Sequence, residues 1–253
     1  MTARNLLAAE ATKLFTTRIT LILATVTILV TWPMAWTNAA SGADLPADDP
    51  RLFSSEPIPV EYQGFDMAGF GYVLIVALGA LWAGSEYGAG RQIRTTLIAS
   101  PNRAAVFLVK SALLTVIIGA TAFLTMWGTI VITHASANSG VSPWALSPAI
   151  WAHIAGVTAA WILTGLMAFA IGTLARTAIL PLILLIPFVI GISDLLTRLW
   201  IGARFLPIAA GAAMYSDPDG GAYLAPLAGG IVQAAWALIL LAISFTVFVR
   251  RDT

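Results

Sequence analysis

The sequence predicts an all-α protein that crosses a membrane several times. Of its 253 residues, 59% are hydrophobic and only 10% are charged, and the mean hydropathy is +0.88. A soluble domain would carry about a quarter charged residues. Thirteen basic and twelve acidic residues nearly cancel, which argues against a nucleic-acid-binding protein. The chain has no cysteine, so disulfide, zinc-thiolate and cysteine-nucleophile chemistry are excluded.

Six apolar runs are the candidate spans, since a helix needs about 20 mostly apolar residues to cross the hydrocarbon core. They cover residues 19–36, 67–83, 104–134, 149–174, 178–192 and 227–249. The fifth run is short and contains Pro181 and Pro187, so we expect a kinked span there. The whole chain, residues 1–253, is predicted to form one transmembrane domain.

Charge predicts the orientation. With six spans both termini share one side, and that side holds ten of the thirteen basic residues; only Arg51, Arg198 and Arg204 lie opposite. The positive-inside rule therefore places both termini in the cytoplasm. Arginine outnumbers lysine eleven to two, and with abundant Ala and Gly this indicates a GC-rich bacterial source. We expect a multi-pass protein of the bacterial plasma membrane.

Residues 3–17, before the first span, have the pattern of an amphipathic helix. Apolar side chains recur at helical spacing opposite charged ones: Leu6, Leu7, Leu14 and Phe15 against Arg4, Glu10 and Lys13. Small residues after the first span, Ala39 and Ala40, leave a cleaved signal peptide as the alternative. The long amphipathic start favours a retained elbow helix on the inner leaflet.

Between the spans, turn signals predict where helices begin and where the chain is irregular. Residues 38–66 are acidic and rich in proline, which indicates an outer loop. Ser100-Pro101 and Ser147-Pro148 each look like an N-cap followed by proline at the first helical position. Residues 193–226 are too broken by charge and proline to form a span, and suit an interfacial or re-entrant helical pair at the outer surface.

Missing motifs exclude several functions. No phosphate-binding loop occurs, so ATP hydrolysis of the usual kind is not expected from this chain and it is not predicted to be an enzyme by itself. No ionisable residue lies near the middle of a predicted span, whereas an ion-coupled carrier normally needs one. Lys110 and Arg176 lie near inner ends, where they can snorkel. Energy for any transport should therefore come from another subunit.

Two histidines lie at predicted outer ends of spans, His134 and His153. A metal pair or a pH-sensing site is conceivable, but two ligands make a poor metal site, so we interpret both as interfacial side chains. No catalytic residue and no metal are predicted. Ser85 lies at the opposite end from both histidines, which excludes contact between a nucleophile and a base.

The loop between the second and third spans, residues 84–103, is the most informative segment. Ile93 and Leu97 are four residues apart and Arg91 and Arg94 three apart, so a short helix here would have one apolar and one basic face. The alternative is a solvated basic loop that only sets topology.

Several phrases of this loop resemble ABC-transporter permeases of the type-2 exporter class. They are Glu86-Tyr87, Gly90, Ile93-Arg94-Thr95-Thr96-Leu97, Ser100-Pro101 and Arg103, followed by Lys110. The start of the chain is also similar, with Glu10-x-x-Lys13-Leu14 leading into the first span. The order of elbow helix, six spans and broken outer segment agrees over the whole chain.

The resemblance implies a permease subunit that pairs with a second permease chain, identical or related, and with two cytosolic ATPase subunits that bind ATP and Mg. It implies that the loop couples to the ATPase through Glu86, Tyr87, Gly90, Arg91, Ile93, Arg94, Thr95, Leu97 and Arg103. Ile93 and Leu97 would anchor the contact, and the elbow helix would contribute Glu10, Lys13 and Leu14.

Substrate and direction follow from weaker arguments. Few polar groups line the spans, which suits an amphipathic or hydrophobic cargo such as a drug, an antimicrobial peptide or a lipid, with export and resistance as the expected roles. No substrate-binding residue is predicted. A non-transporting membrane sensor or scaffold is the main alternative, and an ion-coupled carrier is a weaker one.

Overall fold

The computed structural model describes residues 3–16, 18–42, 60–87, 92–99, 102–136, 141–216 and 224–250. Within these ranges the chain is almost entirely helical. The helices are α1 (Ala3–Thr16), α2 (Arg18–Gly42), α3 (Ala68–Gly84), α4 (Gln92–Ala99), α5 (Arg103–Ser136), α6 (Pro148–Ala175), α7 (Ile179–Pro187), α8 (Ser193–Leu199), α9 (Pro207–Ala212) and α10 (Pro226–Arg250). A short helical turn, Ser85–Tyr87, follows α3, and a π-helical turn, Phe188–Ile192, joins α7 to α8.

Six helical runs in the described ranges are long and apolar enough to cross a membrane. They are Arg18–Ala40, Phe65–Tyr87, Arg103–Ser136, Pro148–Ala175, Ile179–Leu199 and Pro226–Arg250. The predictions of an all-α class and of six spans are confirmed at this level. The protein therefore has the architecture of a multi-pass membrane protein.

The bundle is built around α3 and α6. In each of their spans 61% of the most apolar window is buried, against 17–22% in α2, the fifth span and α10. The two central helices can approach closely because Gly79 has no side chain. A Cβ at this position would collide with the backbone oxygen of Gly165 and press on Ala168. Small residues at such crossings let helices pack by direct backbone contact in lipid.

The two ends of the bundle differ in what lies there. One end carries α1, α4 and the last turn of α10, and we call it the α1 end. The other end carries the segment 60–67, the start of α6 and α9, and we call it the α9 end. The expected helix ahead of the first span is present as α1, ending at Thr16.

The fifth span continues beyond its predicted end at residue 192, as far as Leu199. Pro181 lies in the first turn of α7, where a missing N–H removes no helical bond. Pro187 ends α7, and Gly191, four residues later, is not helical at φ 152° and ψ −10°. The fifth span is therefore kinked, as predicted, and the kink lies at Gly191. The chain then breaks at Trp200, which is extended, before a helical turn at Ile201–Phe205 and α9. The backbone is thus broken twice in this region, at Gly191 and again at Trp200.

The helix starts agree in part with the predicted caps. The Ser147 side chain accepts a hydrogen bond from the Ile150 N–H at 3.4 Å, as the sequence indicates. Ser100 and Pro101 lie outside the described residues. α5 begins instead behind Asn102, whose Oδ1 accepts from the Ala105 N–H at 3.0 Å. Residues 43–59 of the predicted outer loop also lie outside the described ranges.

Candidate functional site

Four charged side chains from three separate parts of the chain meet at the α1 end. Glu10 and Lys13 come from α1, Glu86 from the turn after α3, and Lys110 from the second turn of α5. The Lys110 ammonium lies 2.7 Å from Glu10 Oε2 and 2.7 Å from Glu86 Oε1. We call these four residues the charge cluster.

Lys13 connects the charge cluster to the short helix α4. Its Nζ lies 3.1 Å from Glu10 Oε1 and 3.3 Å from Glu86 Oε1. The same ammonium donates to Thr96 Oγ1 at 2.7 Å. Since Thr96 belongs to α4, one side chain of α1 ties α4 to the ends of the second and third spans.

The charge cluster is buried and electrically balanced. Relative side-chain exposure is 1% for Glu10, 7% for Glu86, 5% for Lys110 and 33% for Lys13. Two carboxylates face two ammonium groups, so their formal charges sum to zero. Burying an unpaired ion costs several kcal/mol, so these groups stabilise the fold only as a set.

Lys110 does not snorkel, although its position near the end of a span would allow it. Its ammonium lies 5.1 Å from the centroid of the Trp82 ring, in cation–π range. The Trp82 indole N–H also donates to the Lys110 carbonyl at 3.3 Å. The lysine points into the bundle because two carboxylates and an aromatic face replace water around it.

Local sequence explains how the cluster forms. On α1, Leu6 and Glu10 are one turn apart and both buried, so the same face carries an apolar and an acidic group. On α5, Lys110 lies between the buried residues Val106 and Leu114, each four positions away. A helix places all three on the face that packs into the core.

The apolar side chains of α4 point in two directions. Ile93 is 5% exposed and belongs to the protein's own core, and Leu97 packs partly against that core. Ile98 is 82% exposed. The predicted helix over this loop is present, but Ile93 faces the bundle, and Ile98 is the apolar side chain that α4 presents outward.

The remaining predicted coupling residues lie around α4 or outside the described part of the chain. The Tyr87 ring is 5.9 Å from the Arg176 guanidinium carbon. Arg103 is partly exposed in the first turn of α5. Gly90 and Arg91 lie outside the described residues, and so do the side chains of Leu14, Arg94 and Thr95.

The two histidines lie at the α9 end and contact the segment 60–66. His134 Nε2 is 3.1 Å from the Glu61 carbonyl oxygen. The His153 ring packs edge-on against Tyr62 with centroids 4.9 Å apart. Among the described residues, no group of three or more potential ligands could hold a metal ion. Their contacts are those of packed side chains.

A second set of buried polar side chains joins three spans in the bundle interior. The Tyr72 hydroxyl and Thr164 Oγ1 are 2.7 Å apart. Gln233 Nε2 donates to Thr164 Oγ1 at 2.9 Å and to the Ala160 carbonyl at 3.2 Å. Gln233 is fully buried on α10. These contacts connect α3, α6 and α10.

The sequence analysis predicted neither the charge cluster nor the hydrogen bonds of Gln233, although the sequence contains a signal for each. The chain has only two lysines, and both enter the charge cluster, together with Glu10 and Glu86. Gln233 is an amide in an apolar span, and such side chains usually face neighbouring helices.

Comparisons with known proteins do not assign the chain to a family. No protein-family model matches the chain, and no curated protein matches it.

Proposed function

We propose that this chain is the membrane-spanning permease subunit of an ATP-driven exporter of the ABC type-2 class. In this proposal both termini are cytoplasmic, α1 is the elbow helix, and α4 is the coupling helix. A separate cytosolic ATPase supplies the ATP and Mg chemistry. A second permease chain, identical or related, completes the path.

The observation that carries the proposal is how α4 is attached. One side of α4 is fixed to the bundle by buried Ile93 and by the Lys13–Thr96 hydrogen bond. The other side presents Ile98 almost fully exposed. An exposed apolar residue on a short, firmly held helix is suited to docking in a groove of a partner protein.

The charge cluster supports a role in transmission. A displacement of α4 acts on Lys13, which shares Glu10 and Glu86 with Lys110. Separating any one partner leaves a buried charge unpaired, which is strongly unfavourable. The cluster therefore resists separation, and α1 and the ends of α3 and α5 follow α4 as a unit. Closure of two ATPase subunits would in this way tilt the spans.

The cargo is proposed from the surfaces of the spans. α2, the fifth span and α10 are mostly unburied and apolar, so they face lipid or the second permease chain. A path between two such chains suits an amphipathic or hydrophobic substrate, such as a drug, an antimicrobial peptide or a lipid. Export, and resistance to such compounds, is the proposed outcome.

The rival functions differ from the exporter in what they need. An ion-coupled carrier needs ionisable groups within its path, whereas the charge cluster lies at one end of the bundle. A non-transporting sensor or scaffold would also dock a partner through Ile98, and it is distinguished from the exporter by a partner that is not an ATPase.

The proposal is tested by changing the exposed side of α4. Ile98→Asp should abolish co-purification of the ATPase while the chain still inserts in the membrane, because a charge would enter an apolar groove. Ile98→Leu, the matched control, keeps an apolar side chain and should retain the ATPase. Equal recovery of the ATPase with both variants would refute docking through α4.

A further inference from the structure

A cavity of about 80 Å³ lies beside the charge cluster at the α1 end. Its wall is formed by Lys13 of α1, by Ile19 and Thr20 at the start of α2, and by the end of α3. A single water needs about 10–15 Å³ of such space. The cavity therefore has room for a group of several non-hydrogen atoms.

Glu86 gives the wall of this cavity an unsatisfied hydrogen-bond acceptor. Its Oε1 lies 2.7 Å from the Lys110 ammonium and 3.3 Å from that of Lys13. Its Oε2 has no hydrogen-bond partner among the described residues, although Glu86 is only 6% exposed. Leaving a buried charged acceptor unpaired is costly. A ligand that donates an N–H or O–H group to Glu86 Oε2 is therefore favoured in this cavity.

The charge of the cluster restricts what that donor is. Its two carboxylates and two ammonium groups already balance, so a cation alone would bring an uncompensated charge next to a buried set. A zwitterion adds no net charge. Arg18, which precedes Ile19 in the chain, is exposed, and its guanidinium is suited to bind the phosphate of such a zwitterion. The site thus favours a primary ammonium linked to a phosphate.

The cavity reaches the protein surface beside an apolar stretch of α2. Its wall includes Ile19 and Ser85, which are both exposed. Ile22, one turn after Ile19, is 51% exposed, and the span that α2 forms is mostly unburied. A ligand with an apolar tail can therefore continue from the cavity along the span. This favours a phospholipid over a water-soluble zwitterion, because acyl chains cover Ile19 and Ile22.

We propose that this cavity binds the headgroup of an ethanolamine phospholipid, whose ammonium donates to Glu86 Oε2 and whose phosphate faces Arg18. The bound headgroup completes the hydrogen bonding of the charge cluster. A choline headgroup has no N–H to donate, and a glycerol headgroup carries no cation, so both bind more weakly. The inference rests on the membrane-spanning architecture and does not depend on the function proposed above.

Native mass spectrometry of the full chain tests this preference. The protein in mild detergent is given equal amounts of phosphatidylethanolamine, phosphatidylcholine and phosphatidylglycerol with the same acyl chains. Phosphatidylethanolamine should be retained about tenfold more than phosphatidylcholine, because a hydrogen bond to a charged group contributes about that factor. Equal retention of these two lipids would overturn the proposal, and so would stronger retention of phosphatidylglycerol.

A pair of tryptophan variants on α2 locates the site. Ile19→Trp puts a large ring on the wall of the cavity and should abolish the preference for phosphatidylethanolamine. Ile22→Trp is the matched control, since Ile22 is exposed on the same helix and is not among the residues that line the cavity. It should keep the preference. An Ile19→Trp protein that also keeps it would overturn the proposal, because the lipid would then bind elsewhere.

A competition experiment separates a lipid from a soluble compound with the same headgroup. O-phosphoethanolamine, added at the concentration of the lipid, should leave the amount of bound phosphatidylethanolamine unchanged, because it lacks acyl chains to cover α2. Displacement of the lipid by O-phosphoethanolamine would overturn the assignment of the site to a phospholipid.

Discussion

The α1 end and the α9 end of the bundle are held together by different physics. At the α1 end, residues far apart in the sequence are joined by charges, with Lys110 bridging Glu10 and Glu86. At the α9 end, backbones touch at glycines, and further into the bundle Gln233 adds neutral hydrogen bonds. Charges form an attachment in which every member depends on the others, whereas glycine contacts fix each neighbouring pair of helices separately.

This difference determines how each end of the bundle responds when one contact is removed. Removing one ion from a balanced buried set exposes the others to the full cost of desolvation. Removing one glycine contact affects mainly the two helices that meet there. The α1 end is therefore suited to transmit a displacement through several elements, and the α9 end is suited to provide a fixed frame.

Lys110→Met should have the largest effect on stability. It leaves Glu10 and Glu86 buried with only the partly exposed Lys13 between them, so we expect a loss of about 3–5 kcal/mol in the free energy of unfolding. Unfolding by SDS titration from mild detergent measures this loss. Adding Glu86→Gln to Lys110→Met should recover part of it, and a double variant weaker than the single one would contradict the idea of a balanced cluster.

Gly79→Ala should have an intermediate effect, because its methyl group would collide with the Gly165 backbone where α3 crosses α6. Overpacking of this kind costs about 1–3 kcal/mol. Gly69→Ala on the same helix is the control and should be neutral or stabilising by up to about 1 kcal/mol. The same SDS titration compares them, and equal stabilities would mean that the two central helices do not touch at Gly79.

Gln233→Leu should have the smallest effect of the three. It removes the hydrogen bonds to Ala160 and Thr164, and bonds of this kind between helices in membranes are worth about 0.6–2 kcal/mol. Thr246→Val on the same helix is the control, because the Thr246 hydroxyl donates within its own helix, to the Ala242 carbonyl. A Gln233→Leu protein as stable as the control would show that these hydrogen bonds do not stabilise the packing of α10 on α6.

The sequence was sufficient to predict the spans. Apolar runs of the right length determine six membrane-crossing helices, and their helical bounds differ from the predicted ones mostly by a few residues. The exception is the fifth span, where the polar residues Ser193 and Asp194 suggested an end. The chain stays helical on both sides of this point, in α7 and α8, but it is kinked between them at Gly191.

Contacts between distant parts of the chain were harder to predict. The spacing of Ile93 and Leu97 predicts a face of α4, but not whether that face meets a partner or the protein's own core. Lys110 near a span end is compatible with snorkelling, and only the three-dimensional arrangement reveals that two carboxylates lie within 2.7 Å. Periodicity describes one helix at a time, whereas these contacts depend on how helices pack.

The central claim is that α4 and the charge cluster couple this chain to an ATPase, and affinity purification from its native membrane tests it most directly. The tagged chain, extracted in a gentle detergent, should elute with a stoichiometric P-loop ATPase and with ATP hydrolysis that vanadate inhibits. Elution of the chain without an ATPase, under conditions that preserve known membrane complexes, would contradict the claim and favour a sensor or carrier.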